Sequence, residues 1–243
     1  MKALYLKEIR SFLSSIIGYI FIAFFLAVNS LFLWVFSYET NILEGGTADL
    51  FPFFSISPLI FTILIPAITM RSISEEKRTG TIELLFTKPI SDLTIIMAKY
   101  FAGLTLVLIS MLPTLIYFLT VHQLGDPVGI IDTGATVASY VGLFCVGACF
   151  TAVGIFSSSI TDSQIVAFIL GLLFCWFLFL GLDLLAVFSQ FGGFDLVLRN
   201  LGIMEHYESI QKGVFDSRDL LYFVSFIAVF IVLTKLVLHS RKW

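Results

Sequence analysis

Long uncharged stretches alternate with short charged ones along this chain. Ser11 to Tyr38 carries no charge, and neither do Leu50 to Met70, Tyr100 to Val121, Thr133 to Thr161 or Ser163 to Leu182. Leu220 to Leu238 is interrupted only by Lys235, near enough to its end to snorkel. A helix needs about 20 apolar residues to cross the hydrocarbon core of a bilayer. The pattern therefore predicts six spans, at about 16–37, 52–70, 100–121, 136–158, 163–182 and 220–238. The second holds Pro52, Pro58 and Pro66, which kink helices but are tolerated in membranes where neighbours satisfy the freed backbone groups. Ahead of the first span, Ala3, Leu6, Ile9 and Leu13 recur near helical spacing while Lys2, Lys7 and Arg10 lie mostly elsewhere. That predicts a short helix lying in the membrane interface.

Composition agrees with an all-α polytopic membrane protein. The chain is 58% hydrophobic and 13% charged, against roughly a quarter charged in soluble domains. A net charge of −3 and the lack of a basic tract give no nucleic-acid partner. The placement of charge says more. Lys2, Lys7, Arg10, Arg71, Lys77, Arg78, Lys88, Lys99, Lys235, Arg241 and Lys242 all fall on the side of the termini. Only Arg199, Lys212 and Arg218 fall on the other. The positive-inside rule then puts both termini and the 71–99 loop in the cytoplasm, and the 184–219 connection outside.

The deep parts of the spans contain no ionisable residue, which argues against an ion-coupled transporter. The serines of "GIFSSSI" at 154–160 have no His or Lys at matching depth to activate them. Cys145 and Cys149 share a helix face and could hold a soft metal, but without Met or His beside them they read as packing residues. Gly147, Thr151, Gly154 and Ser158 form a stripe of small residues on the fourth span. Such a face lets helices approach closely, within the chain or between copies. No G-x-x-x-x-G-K-[ST] segment is present, so the chain shows no nucleotide site of its own. The apolar run "LLAVFSQF" before "GG" in the outer connection is expected either to dip into the membrane as a partial lid or to form a soluble cap.

Charge concentrates in "RSISEEKRTGTIELLFTKPISDLTIIMAK" at 71–99. Ser74 is expected to cap a helix start, with Glu75 and Glu76 favouring its dipole. Gly80 permits a sharp change of direction. Thr81 opens a second short helix bearing Ile82, Leu84, Leu85 and Phe86, and Pro89 ends it. Ser91 and Asp92 then open the helix that climbs into the third span. The apolar residues need cover. They either fold back on the membrane and spans or fill a groove on a cytoplasmic protein, with Glu75, Glu76, Arg78 and Glu83 as polar rim.

This loop resembles the signature of the ABC-2 type transporter permeases. Arg71, Ile73, Glu75, Glu76, Lys77, Gly80, Thr81, Ile82, Glu83, Leu84, Leu85, Pro89, Ile90 and Ser91 stand in that family's pattern between the second and third spans. "MEHYESIQKGVFDSRDLLYFVSF" at 204–226 is similar to its segment entering the last span. Within the family, "IGYIFIAFFLAVNSLFLWVF" and "TDSQIVAFIL" look like the gliding-motility, Gld-type permeases. The resemblance implies an ABC-2, type V exporter-like permease fold in the bacterial inner membrane. It implies no catalysis in this chain, with ATP and magnesium on a separate ABC ATPase docked at the loop. It also implies a second permease or accessory membrane subunit beside this one, in contact with lipid. A membrane scaffold that anchors an envelope or motility machine without transporting is the alternative expectation.

Overall fold

The computed structural model describes residues 1–36, 41–45, 48–86, 90–187, 194–214 and 216–240. Those residues are helical, with no strand among them. An N-terminal helix, α1 (Lys2–Ser14), leads into α2 (Ile16–Trp34), the first span. A single turn, α3 (Ile42–Gly45), precedes α4 (Phe51–Thr69), which continues almost unbroken into α5 (Arg71–Arg78). After α6 (Thr81–Phe86) comes α7 (Asp92–Met111), prolonged through a 3-10 turn at Leu112–Thr114 into α8 (Leu115–Leu124). That turn includes Pro113, which has no amide to give to the helix before it. The fourth and fifth spans are α9 (Thr133–Ile160) and α10 (Gln164–Trp176). A π-turn at Phe177–Gly181 carries α10 into α11 (Leu182–Val187). Two short helices, α12 (Phe194–Leu201) and α13 (Ile203–Gln211), precede the last span, α14 (Ser217–Ser240). Six of these helical runs are long and apolar enough to cross a membrane.

Helix α9 is the axis of the bundle. Its apolar stretch is 78% buried inside the protein, against 11% for α14 at the periphery. It touches α4, α5, α7, α10, α13 and α14. The small-residue stripe explains why so much can gather round it. A methyl group on Gly147 would lie 2.8 Å from Val107 Cγ1 of α7, and one on Gly154 would lie 2.0 Å from Thr69 Oγ1 of α4. The stripe thus faces the second and third spans of its own chain. Lipid tails are as apolar as these side chains, so such close packing, rather than burial from water, holds the helices together.

Polar pairs add to it. Ser57 Oγ donates to Asn29 Oδ1 at 3.0 Å, joining α4 to α2 in the buried core. Phe25 of α2 stacks on Phe61 of α4 at 4.7 Å, and both are fully buried.

The end away from the termini is covered by α13, whose Ile203, Tyr207 and Ile210 are buried. Pro58 explains how it is held. Proline cannot donate to the carbonyl four residues back, so Phe54 O loses its helical partner. The Tyr207 hydroxyl donates to that oxygen at 2.6 Å. Burial pushes the Tyr207 phenol up, which keeps it a neutral donor. Much of the apolar run expected to dip back lies at 188–193, outside the described residues. Asp183 does not close the fifth helical run, which continues to Val187. The Arg199 guanidinium of α12 is 3.9 Å from its carboxylate.

Candidate coupling site

The charged hairpin between the second and third spans is built largely from local signals. Helix α5 ends at Arg78, and Gly80 follows with φ +70°, a left-handed conformation that glycine adopts without steric cost. A Cβ there would meet nothing within 4 Å, so the backbone rather than packing demands glycine. Its amide donates to Lys77 O at 3.1 Å. Thr81 opens α6, on which Glu83, Leu84 and Leu85 lie. Pro89 lies outside the described residues. Ser91 caps α7, its hydroxyl accepting from Thr94 N at 3.4 Å.

Ser74 departs from expectation. It does not begin a helix, because the second span winds on through Met70 into α5. Its own hydroxyl donates back to Met70 O. The group that serves this junction comes instead from α9. Ser158 Oγ accepts from Ile73 N and Ser74 N, each at 3.0 Å, and donates to Met70 O at 2.9 Å. A side chain thus enters the helix ladder where span becomes hairpin, a recognised cause of helix bending. Ser158 is fully buried. Lys77 adds a second tie, its ammonium donating to Ser159 O.

Glu76 also departs from expectation, since it is not on the outer rim. The continuous helix rotates it inward, onto Lys99 of α7. Lys99 Nζ is 2.9 Å from Glu76 Oε1 and 3.2 Å from Glu8 Oε1 of α1. Lys99 is only 3% exposed. The exposed Lys7 approaches the same two carboxylates, at 3.8 Å from Glu76 and 4.0 Å from Glu8. A buried charge survives only when paired, so this cluster locks α1, α5 and α7 in one arrangement. A cleft of about 290 Å³ opens beside it, lined by Arg71, Glu75 and Thr81 among others. Arg71, Arg78, Gly80, Thr81 and Glu83 remain exposed on the hairpin.

Sequence reasoning did not single out Glu8, Lys99 or the reach of Ser158. The apolar periodicity of α1 marks Ala3, Leu6, Ile9 and Leu13; Ile9 and Leu13 are half-buried and Ala3 and Leu6 exposed, while the face towards the bundle also takes Leu4, Tyr5, Glu8 and Phe12. On that face Tyr5 Oη lies 2.8 Å from Thr105 Oγ1 of α7. The one available hint is a glutamate among the basic residues of a helix beside an apolar span. Midway along the spans, Cys145, Cys149 and Cys175 are unbridged, the last two buried, and among the described residues no group of three metal-binding side chains comes together.

A search of curated proteins gives no match. The model of the ABC-2 family transporter proteins matches residues 3–242. Members of that family are membrane components of transport systems, generally not catalytic themselves, and they associate with an ABC ATPase and with membrane lipid. With that match over nearly its whole length, and with six helices able to cross a bilayer, the chain belongs to the ABC-2 family as a multi-pass permease subunit.

Proposed function

We propose that this chain is the permease half of an ATP-driven exporter of the gliding-motility type, coupled through α5 and α6 to a separate ATPase subunit. In this reading both termini and the hairpin are cytoplasmic, and the membrane is the bacterial inner membrane. A second permease or accessory membrane subunit completes the pathway. ATP and magnesium sit on the ATPase. Closure of the ATPase pair pushes the hairpin, and the spans rock as rigid bodies to switch access between the two faces.

One observation carries the reading. The hairpin presents Arg78, Gly80, Thr81 and Glu83 outward while its root is fastened to α9 and α7 through Ser158 and Lys99. A surface that is exposed at its tip and rigid at its root transmits force rather than absorbing it. The orientation is supported by the bias of Lys and Arg towards the terminal side.

The test is co-purification with the ATPase together with transport-dependent ATP hydrolysis in liposomes. Glu83→Lys reverses a charge on the tip, and Gly80→Pro imposes φ near −65° where +70° is needed. Both should reduce ATPase association and transport at least several-fold while the spans stay folded. Unchanged association and unchanged transport in both variants would remove the docking role. Binding of the ATPase without any cargo movement would instead favour the scaffold.

A further inference from the structure

On the face of the bundle away from the termini, one imidazole joins three helices. His206 of α13 has Nδ1 2.6 Å from Asp219 Oδ1, in the first turn of α14, and Nε2 3.0 Å from the backbone oxygen of Asn200, in the last turn of α12. Its ring stacks on Tyr222 of α14 at 3.9 Å and 22°. The Tyr222 hydroxyl donates to Leu201 O at 2.7 Å. The last carbonyls of a helix have no partner inside it, so His206 and Tyr222 together cap α12. Asp219 is 6% exposed, and its Oδ2 has no hydrogen-bond partner. The His206 contact is the only ion pair Asp219 makes among the described residues.

We infer that His206 is a proton-operated fastener that holds α12 against α13 and α14. The argument rests on hydrogen-bond inventory. The Asn200 carbonyl can only accept, so Nε2 must carry a hydrogen. At 2.6 Å, Nδ1 and the Asp219 carboxyl must share another. The assembled fastener therefore holds two protons, whichever of the two groups formally owns the shared one. Losing one leaves a choice. If Nδ1 keeps its hydrogen, Asp219 keeps its single donor, and the Nε2 lone pair then faces the lone pairs of Asn200 O. If Nε2 keeps its hydrogen, a buried carboxylate faces a bare nitrogen. The second arrangement is the costlier, because a buried charge loses its only partner. The bond to α12 is therefore the one released as pH rises.

The surroundings leave the ring as the responsive element. Asp219 and Tyr222 face it from α14, and Arg218 of that helix is exposed. Arg199 of α12 is engaged with Asp183. Glu205 of α13 is exposed, Glu208 of that helix is 3.3 Å from Lys212, and Asp216, just ahead of α14, is exposed. Neither α9 nor the π-turn at Phe177–Gly181, packed on α13 from the other side, contains a charged residue. Helix α13 itself is tied by Tyr207, independently of His206. The outer cover thus has one part that follows external acidity and one that does not.

The test is backbone hydrogen exchange of the whole chain in lipid nanodiscs, comparing wild type with His206→Gln at each of several values from pH 5.5 to 8.5. Pairing variants at one pH cancels the intrinsic exchange chemistry. Segment 194–201 should exchange about tenfold more slowly in wild type than in His206→Gln at the acid end, the factor of one charge-assisted hydrogen bond. That ratio should fall towards one at the alkaline end, while 203–211 changes less than about twofold. Tyr222→Phe should loosen 194–201 by the same factor at every pH. Asp219→Asn supplies an amide that can donate to a bare Nδ1, so the neutral ring keeps its Nε2 hydrogen on Asn200 O and the pH dependence at 194–201 should be lost. An identical pH course in wild type and His206→Gln, or a pH dependence in Asp219→Asn as large as in wild type, would overturn the inference.

Discussion

At the scale of single residues, the most consequential side chain is Lys99. Its ammonium is enclosed by two carboxylates from two other helices, and little water reaches any of the three. Lys99→Met would leave Glu8 and Glu76 with only the exposed Lys7, 4.0 and 3.8 Å away. We expect a loss of about 3–5 kcal/mol, the usual penalty for breaking a buried pair from one side, read by denaturant unfolding in detergent. Adding Glu8→Gln and Glu76→Gln removes those charges, so the triple variant should regain most of the loss. A triple variant no better than Lys99→Met would mean that the lysine matters for its shape alone. Gly147 offers a second residue-level test. Gly147→Ala should cost about 1–3 kcal/mol through overpacking, because the new methyl meets Val107 Cγ1 at 2.8 Å. Val107→Ala in the same chain removes that atom and should restore the melting temperature. A harmless Gly147→Ala would show that α7 and α9 are free to slide apart.

At the scale of elements, the hairpin shows which parts of the structure can be read from sequence. Gly80, Thr81 and Ser91 act on their immediate neighbours, so the turn, the second short helix and the start of α7 follow from the local pattern. The six long runs are equally legible, since length and apolarity define a span without knowledge of its neighbours. Ser74 and Glu76 were not legible, because their roles are set from afar. Ser158 meets Ser74 across 84 positions, and Lys99 meets Glu8 across 91. No local rule reports that α4 runs on through Met70, and that continuation decides which way both residues point. The expected consequences differ accordingly. Gly80→Ala should cost about 1–2 kcal/mol from the left-handed backbone alone, and hydrogen exchange should show the loss confined to 81–86. Ser158→Ala removes the side chain that serves two amides and one carbonyl. It should cost about 1–3 kcal/mol and accelerate exchange at 70–78 as well as at the end of α9. Equal exchange at 70–78 in Ser158→Ala and wild type would show that the helix closes its own ladder there.

At the scale of the whole molecule, the two ends of the bundle are fastened by different chemistry. The hairpin end joins a buried lysine to two carboxylates and a hydroxyl to three backbone groups, and at the end away from the termini α13 is held by a phenol on a carbonyl left free by proline. The second arrangement makes a testable coupling between distant positions. Tyr207→Phe should destabilise the protein by about 1–3 kcal/mol, because Phe54 O then has no donor. Pro58→Ala supplies a main-chain amide four residues along, so Tyr207→Phe should cost markedly less in that background. Strictly additive losses in the double-mutant cycle would mean that the two groups do not share the oxygen. Ser158 has a further consequence under the proposed coupling, in which the hairpin is pushed. Three backbone groups of one helix converge on a single oxygen of another, so a small slip of the hairpin along α9 forfeits all three bonds together. The junction therefore behaves as a detent: it resists gentle pushing, yields all at once above a threshold, and converts a gradual stroke into a discrete click.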